Sequence, residues 1–348
     1  MGIDELIGRP PDRILLAHGA GGPAMRQLIR TMLLDDDGVF PEGGAGPGAM
    51  DDGAAIPVGD RFLVIATDSH VVSPRFFPGG DIGRLSITGT VNDLAMMGAI
   101  DVVGLTCSLV VEEGFYGEEL ARVQRSIRAT CREAGVRVVT GDTKVMGRGE
   151  VDGMILNTTG VGWADRVLPT GGLSAGDKLL VTGHIGDHGL AILALRHDLG
   201  IQGDLRSDCA PLNDLVRVLL EVGGDDVVAL TDPTRGGLTA ALHEMGAGSG
   251  VGVLVDESAV PVRDEVRAAA DLLGIEPMHM ANEGKAVIGV RASAADRVLA
   301  ALRDHPLGRD AALVGEAIDE YVGRVLLDTG FGRRILAEPD GEPAPRIC

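Results

Sequence analysis

The chain has 348 residues, of which 45% are hydrophobic, 24% charged and only 3% aromatic. That length allows two domains with buried cores, which we expect to be built from Val, Leu, Ile, Ala and Met. The formal net charge of −20 predicts a surface that repels nucleic acid and anionic membranes, so we expect neither as a partner.

Three further features indicate a cytoplasmic protein. No apolar run reaches the roughly 18 residues of a membrane-spanning helix, and the first residues carry acidic side chains where a signal peptide would be apolar. The cysteines, Cys107, Cys131, Cys209 and Cys348, form no CxxC pair, so their spacing predicts neither a zinc site nor a redox pair. Cys348 is the last residue of the sequence, and its thiol has two possible interpretations: an incidental thiol or a reactive group on a tether.

The N-terminal half alternates strand and helix patterns. Apolar runs predict strands at 62–67, 102–110, 136–140 and 154–163, and helical spacing predicts helices at 81–99 and 116–135. Residues 165–177 then bring several turn-forming residues together, and we interpret them as a domain linker.

The C-terminal half repeats this alternation, so we expect two α/β (α+β) domains at 1–165 and 177–336, joined by a linker at 166–176. Residues 337–348 carry three prolines and no periodicity. They predict a flexible tail ending in Cys348, which extended would reach about 35 Å. The predicted elements of this half are strands at 178–183, 227–231, 251–255 and 286–290 and helices near 187–199, 212–222, 236–247, 262–273 and 293–303.

Three strand-like runs end in Thr followed within two positions by Asp, at Asp68, Asp142 and Asp232. Ligands gather at the carboxyl ends of strands in α/β folds, and carboxylates collected there favour a cation such as Mg²⁺. Asp51 or Asp52, in "MDDGAA", and Asn92 with Asp93, in "TVNDLA", extend this set. The alternative for each Asp is that it only begins a turn or caps a helix.

No Walker A motif and no GxGxxG opening a helix is present. A nucleotide would therefore be held by metal-bound carboxylates and glycine-rich backbone. His184 and His188 lie four residues apart, but the glycines around them favour a loop over a zinc-binding helix. His18 is open to two interpretations, a phosphate contact or a turn residue. Lys144 either neutralises phosphate or is a solvated loop residue, and Glu283 is either a general base or a surface residue.

Nine segments along the chain carry a resemblance to a known family. In order they are "LAHGAGGPAMRQLI", "TDSHVVSPRFFPGGDIGRL", "TGTVNDLAMMGA", "VVTGDTKVM", "GDHGLAIL", "TDPTRGGL", "ANEGKAVI", "HPLGRDAALVGE" and "PRIC". Together they closely resemble the HypE family of carbamoyl dehydratases, which mature [NiFe]-hydrogenases. HypE belongs to the aminoimidazole-ribotide synthetase-like ATP-binding superfamily, with selenophosphate synthetase and thiamine-monophosphate kinase.

The resemblance implies a two-domain PurM-like fold, a homodimer formed through the N-terminal domains, and Mg²⁺ and ATP as cofactors. It also implies that the carbamoyltransferase HypF loads Cys348, that ATP-dependent dehydration turns the carbamoyl group into a thiocyanate, and that the HypC–HypD complex accepts the cyano group on iron. Carried over onto this sequence, the family's site gives Cys348 as substrate carrier, Glu283 as base and Lys144 as a charge-stabilising group. The implied cofactor-binding residues are Asp68, Asn92, Asp93, Asp142 and Lys144, and the implied metal ligands are Asp51, Asp52, Asp68, Asp93 and Asp232, with the choice between Asp51 and Asp52 open.

Three alternatives remain at this point. A selenophosphate synthetase usually carries a reactive Cys or selenocysteine in its N-terminal glycine-rich loop, and "AHGAGGPAM" has none. A thiamine-phosphate kinase would have no use for "PRIC". A non-catalytic carrier presenting Cys348 is disfavoured by the Asp residues at the predicted strand ends, and ATP hydrolysis dependent on the carbamoyl donor would separate it from an enzyme.

Overall fold

The computed structural model describes residues 13–33, 40–201, 203–338, 344 and 346–348. The first twelve residues, for which the sequence predicts no signal peptide, and residues 339–343 and 345 of the predicted tail lie outside the described residues. Across the described ranges, no helix combines the length and the apolar character needed to cross a bilayer.

The N-terminal domain is built on a five-stranded sheet in the order β1-β2-β7-β5-β6. Only β5 and β6 run parallel, and the other neighbours are antiparallel. Helix α2 begins at the cap Asp81, whose carboxylate accepts a hydrogen bond from the Arg84 amide at 2.9 Å. The elements are α1 Gly22–Leu28, β1 Ala54–Val58, β2 Arg61–His70, the hairpin β3 Phe76–Phe77 and β4 Gly80–Asp81, α2 Ile82–Met96, β5 Asp101–Glu112, α3 Gly117–Glu133, β6 Val138–Met146 and β7 Met154–Ala164.

The C-terminal domain is built on a seven-stranded sheet in the order β14-β13-β10-β12-β8-β11-β9. Its pairs are antiparallel apart from β10 with β13. The elements are β8 Lys178–Val181, α4 Asp187–Arg196, α5 Asn213–Gly223, β9 Val227–Thr231, α6 Gly237–Ser249, β10 Gly252–Asp256, α7 Asp264–Leu273, β11 Val287–Val290, α8 Ala295–Asp304, β12 Ala312–Ile318, β13 Val325–Asp328 and β14 Arg333–Ile335.

The two domains share a packed interface. Ala95 and Met96 from α2 join a buried apolar cluster with Leu180, Leu212 and Leu230 of the C-terminal domain. This contact explains why α2 is buried on nearly every side, whereas a surface helix would keep one polar face. The predicted linker is itself packed, since Leu168 and Leu173 are buried. The domain boundaries at residues 165 and 177 stay a prediction.

The helix and strand alternation predicted the mixed class correctly, but not the pairing. Both sheets are largely antiparallel, so the architecture is α+β rather than an alternating parallel α/β sheet. The sequence reading also omitted β1, the hairpin β3 and β4, and β12, β13 and β14. Strand order depends on which edges meet in three dimensions, and local periodicity carries no information about that choice.

Strand β6 is exposed along its whole length in the single chain. β6 lies at the edge of its sheet, and all nine of its residues are exposed in the single chain. It includes the apolar residues Val139 and Val145, which are 60% and 67% exposed. An exposed edge strand with apolar side chains favours pairing with another chain.

Candidate active site

A cavity of about 880 Å³ lies between the domains. We call it the interdomain cavity, and it is bordered by the N-terminal arm, β2, α2, the linker, the segment before α6 and the end of the tail. The polar and reactive residues on its lining are Arg26, Arg30, Asp51, Asp52, Thr67, Asp68, Asp93, Thr170, Asp232, Thr234, Arg235, His243, Glu244, Glu283, Arg324, Glu338 and Cys348.

Four of the predicted metal ligands enter this cavity from different elements. Asp52 precedes β1, Asp68 lies within β2, Asp93 is on α2, and Asp232 follows β9. The close packing of α2 against β2 requires Gly89, because a Cβ there would lie 3.1 Å from Asp68 Oδ2. Of the three Asp residues predicted at strand ends, only Asp232 directly follows its strand. Asp68 lies inside β2 because the extended pattern continues through "TDSH".

The carboxylates repel one another. Burial, followed by the negative charges of Asp232 and Glu244, raises the pKa of Asp52 well above its usual range. Burial and the neighbouring Asp232 and Asp68 have the same effect on the pKa of Asp93. Burial and Asp68 raise the pKa of Asp232 from 3.8 to about 7. Like charges held together in this way favour protonation or a bound cation.

The four carboxylates have the oxygen ligands that a hard divalent cation prefers. Asp52 Oδ2 is buried and has no hydrogen-bond partner among the described residues. Within the same ranges, no group of three or more His, Cys, Asp or Glu side chains already stands in metal-binding geometry. Carboxylate oxygens are what Mg²⁺ prefers, and its usual further ligands are water and substrate phosphates.

Asp51 has a hydrogen-bond partner in the linker, which distinguishes it from Asp52. Its Oδ1 accepts a hydrogen bond from the Thr170 amide at 2.9 Å, which ties the segment before β1 to the linker. Burial raises the pKa of Asp51, and the hydrogen bond from Thr170 opposes that rise. Asp51 therefore has a structural partner, whereas Asp52 keeps an unpaired oxygen.

Glu283 is a buried acid on the wall of the cavity, only 4% exposed. Its Oε1 has no hydrogen-bond partner in the part of the chain that the structure describes. Burial, followed by the charges of Asp232 and Asp68, raises the pKa of Glu283 well above its ordinary value. A carboxyl group of this kind is a strong base once ionised, which is what proton abstraction near neutral pH requires.

The segment that carries Glu283 is fixed through its backbone. The Glu283 amide donates to Asp208 Oδ1 at 3.0 Å, and Asp208 Oδ2 lies 3.1 Å from Lys285 Nζ. Asn92 Nδ2 donates to the Ala210 carbonyl at 3.1 Å and more weakly to the Glu283 carbonyl at 3.4 Å. Asn92, predicted as a cofactor ligand, is thus a buried link between the domains and does not line the cavity.

The described end of the tail lies in the interdomain cavity of its own chain. The Val71 amide donates to the Cys348 carbonyl oxygen, and the Ser73 amide donates to the Arg346 carbonyl, both at 3.0 Å. Cys348 lines the cavity and is partly exposed.

Arg235 is a site residue that the sequence reasoning missed. It is partly buried on the cavity wall, and the negative charge of Cys348 is the largest cause that raises the pKa of its guanidinium. Asp68, Glu283 and Asp93 add to the effect. The signal available in the sequence was its position in "TDPTRGGL", three residues after Asp232. Arg235 therefore supplies positive charge that attracts both the end of the tail and the carboxylates.

The N-terminal arm closes one side of the cavity through Arg26, which was also missed. Its Nη1 lies 2.9 Å from Glu244 Oε1, and its Nη2 donates to both oxygens of Glu338 at 2.8 and 2.7 Å. Glu338 is at the base of the tail. Arg26 therefore joins the arm, α6 and the tail in one ion-pair network.

Asp142 and Lys144 do not line the cavity. Asp142 is within β6 rather than at its end, because the Thr-rich and Val-rich run continues to Met146. Lys144 Nζ lies 2.8 Å from Asp142 Oδ2, and both side chains are more than half exposed. In the single chain, the site is assembled without these two residues.

The predicted histidines have separate partners. His188 Nδ1 and Nε2 lie 2.8 Å from Ser207 Oγ and 2.7 Å from the Ile347 carbonyl oxygen. His184 Nδ1 lies 3.3 Å from Asp310 Oδ2. His18 Nδ1 accepts from the Leu15 amide at 2.8 Å, which makes His18 a turn residue in this structure.

Comparison with known proteins identifies the family. The models for the N-terminal and C-terminal domains of AIR synthase related proteins match residues 50–164 and 174–328. Carbamoyl dehydratase HypE of Escherichia coli (strain K12) is 46% identical over 347 residues, covering 97% of this chain and 100% of that protein.

Two solved structures give the same result. HypE in complex with ATP is 40% identical with a TM-score of 0.79, and covers 97% of this chain and 100% of its own. A chain of the HypE–HypF complex is 36% identical with a TM-score of 0.83, and covers 91% of this chain and 100% of its own. This chain belongs to the HypE family of carbamoyl dehydratases, within the AIR synthase related proteins.

Proposed function

We propose that this chain uses ATP to dehydrate an S-carbamoyl group on Cys348 to a thiocyanate, which supplies a cyanide ligand for [NiFe]-hydrogenase iron. The observation that carries the proposal is that Cys348, Glu283 and the repelling carboxylates line one cavity. The name of the Escherichia coli relative and the ATP complex of another relative support the same activity.

The chemistry requires the carbamoyl oxygen to become a leaving group. Transfer of the terminal phosphoryl group of ATP to that oxygen forms an O–P bond, releases ADP and removes one N–H proton. Loss of the second N–H proton then lets its electron pair form the third C–N bond while the C–O bond breaks. Phosphate leaves, and the products are a thiocyanate on Cys348, ADP and phosphate.

Glu283 is the proposed base for the second proton. It lines the same cavity as Cys348, its Oε1 has no hydrogen-bond partner among the described residues, and burial raises its pKa above the ordinary value, which makes its carboxylate a stronger base. Asp208 and Asn92 bond its backbone, and Lys285 pairs with Asp208, so the segment that carries the carboxylate is fixed.

Mg²⁺ is the proposed metal, with Asp52, Asp68, Asp93 and Asp232 as its protein ligands. Between Asp51 and Asp52 we favour Asp52, since Asp51 already bonds Thr170. Bound Mg²⁺ would neutralise phosphate charge during transfer. Arg235 would add positive charge on the side of Cys348.

Lys144 and Asp142 are proposed to act in a homodimer. Both lie on the exposed edge strand β6, outside the cavity of their own chain. Pairing of two N-terminal domains along β6 would cover Val139 and Val145 and bring Lys144 towards the partner subunit's cavity. There it would stabilise negative charge on the reacting oxygen. HypF as carbamoyl donor and HypC–HypD as acceptor complete the proposed partners, and a related HypE is seen in a complex with HypF.

Intact-mass spectrometry tests the function directly. The chain is incubated with the carbamoyltransferase, carbamoyl phosphate and ATP, and the masses of wild type and Cys348→Ala are compared. We expect a carbamoyl adduct followed by a cyano adduct in wild type, and neither in the variant. A cyano adduct in the variant, or its absence from wild type, would contradict the proposal.

A further inference from the structure

The docked end of the tail is held through the backbone carbonyl oxygens of its last three residues. Val71 and Ser73, two residues apart after β2, donate to the carbonyl oxygens of Cys348 and Arg346. In return, Arg346 Nε donates to the Val71 carbonyl at 3.1 Å. Two backbone amides of one segment therefore bind the carbonyl oxygens of Arg346 and Cys348, and the backbone turns at Arg346, where φ is 58°.

The carbonyl between these two contacts is bound by His188. A carbonyl oxygen only accepts, so His188 Nε2, 2.7 Å from the Ile347 oxygen, must carry the proton. In the neutral ring Nδ1 is then an acceptor, and it receives the Ser207 hydroxyl at 2.8 Å. Ser207 Oγ in turn accepts from the Cys209 amide at 3.1 Å. This chain of bonds is complete only when the tail is present.

The chain of bonds is buried. His188 is fully buried and Ser207 is 6% exposed. Burial is the largest effect on the pKa of His188 and lowers it, in agreement with a neutral ring. If the tail leaves, the His188 Nε2 proton loses its partner in a buried position, which is unfavourable.

The Ile347 side chain has a fitted pocket. It is 3% exposed and packs in an apolar cluster with Val72, Leu190 and Met280. Gly189 borders this pocket, where a Cβ would lie 3.0 Å from Met280 Cβ and 3.3 Å from Ile347 Cδ1. Arg346, one residue earlier, pairs with Asp152, and its carbonyl also accepts from Arg196 at 2.5 Å. Contacts from both domains thus converge on the three residues Arg346–Cys348.

We infer that Val71, Ser73, Asp152, His188, Arg196 and Ser207 form a receptor for the last three residues, in which His188 is the main positioning residue. The inference rests on the proposed function and deepens it. Loading of Cys348 by the carbamoyltransferase requires the tail to leave the receptor, and dehydration requires it to return. The receptor therefore acts on the second step and not on the first, and it selects an aliphatic residue at the position of Ile347.

Two measurements on the full chain test this. The first is the rate at which trypsin releases Ile347–Cys348 by cutting after Arg346, followed by mass spectrometry, because a docked tail protects that bond. The second compares the rate of carbamoyl loading with the rate of conversion of the loaded chain to thiocyanate. The variants are Ile347→Ser, His188→Leu and His188→Gln, with Ile14→Ser as a control at a site that is 66% exposed.

Burying an Ile side chain favours docking by about tenfold or more. We expect Ile347→Ser to release the dipeptide about tenfold faster and to slow dehydration, with loading unchanged. His188→Leu has the same effects, whereas His188→Gln retains an N–H donor and restores part of the protection. Ile347 is near the end of the sequence, so its variant tests the receptor even if His188→Leu fails to fold.

The two hypotheses fail differently. Equal trypsin release from wild type and Ile347→Ser would overturn the receptor, whatever the chemistry. Slowed loading together with normal dehydration in that variant would also overturn it. Absence of thiocyanate from wild type would instead refute the proposed function, while the trypsin measurement would still report on the receptor.

Discussion

Replacement of Asp232 by Asn should make the protein more stable while it abolishes activity. Asp232 is 8% exposed and faces Asp68, and its pKa rises from 3.8 to about 7 on folding. At about 1.4 kcal/mol for each tenfold change in proton affinity, this rise corresponds to about 4 kcal/mol against the charged form. Nearby carboxylates share the repulsion and readjust, so we expect Asp232→Asn to raise the free energy of unfolding by about 2 kcal/mol at pH 8.

The pH dependence follows from the sign of the shift. Below pH 3.8, Asp232 is protonated in both states and contributes nothing. Between pH 3.8 and about 7 the unfolded chain loses the proton while the folded chain keeps it, so folded wild type loses stability as pH rises. The advantage of the variant is therefore largest above pH 7 and closes towards pH 4.

Urea unfolding at pH 8 and pH 5, with EDTA present, measures the effect. The control is Asp225→Asn, the same chemical change at an exposed site, for which we expect a change within about 0.5 kcal/mol. Addition of Mg²⁺ and ATP should stabilise wild type more than Asp232→Asn. A variant less stable than wild type at pH 8 without ligands, or an advantage equal at both pH values, would refute the reasoning about mutual repulsion.

Three further predictions concern the other site residues. Glu283→Gln should lower the rate of dehydration by a factor of about 10² to 10⁴ while carbamoyl loading stays normal, so the carbamoyl adduct should accumulate in the mass spectrum. Formation of thiocyanate at the wild-type rate would show that Glu283 is not the base. Lys144→Met should lose dehydration activity. A mixed dimer of one Lys144→Met subunit and one Glu283→Gln subunit should recover activity if Lys144 acts in the partner subunit's cavity, because one of its two cavities then has both an intact Lys144 and an intact Glu283. No recovery would show that Lys144 acts in the cavity of its own chain or takes no part in the reaction. Arg26→Ala leaves Glu244 and Glu338 unpaired, so it should lower the free energy of unfolding by about 1 kcal/mol and weaken ATP binding measured by calorimetry. Unchanged stability and ATP affinity would show that the N-terminal arm does not close the cavity.

The elements were the most predictable part of the fold. Helix α3 and strand β7 match the predicted ranges within three residues at each end, because their apolar periodicity is local. The pairing of strands was not predictable in this way. Strands β12 and β13 were omitted because they pair with β10, which is distant in the sequence, and β14 has only three residues, all of them exposed.

The candidate site was predicted in part. Asp52, Asp68, Asp93, Asp232, Glu283 and Cys348 meet in one cavity, whereas Asn92 links the domains and Lys144 lies on an exposed edge. Arg26, on helix α1, and Arg235, in the loop before α6, were missed because a single Arg carries no pattern. Their roles arise from the carboxylates that they face.

The sequence by itself determined the chemical inventory: acidic residues beside strand-forming runs, a Glu in "ANEGK" and a cysteine on a proline-rich tail. These features are local, so order along the chain is enough to read them. Only the tertiary structure decided that the tail is bound by its own chain, between Val71, Ser73 and His188. The physical reason is that each of those contacts joins residues far apart in the sequence. The free energy that docks the tail comes from burying Ile347 and from completing hydrogen bonds at a buried site, and both the pocket and the hydrogen-bond donors are assembled only when the two domains pack together.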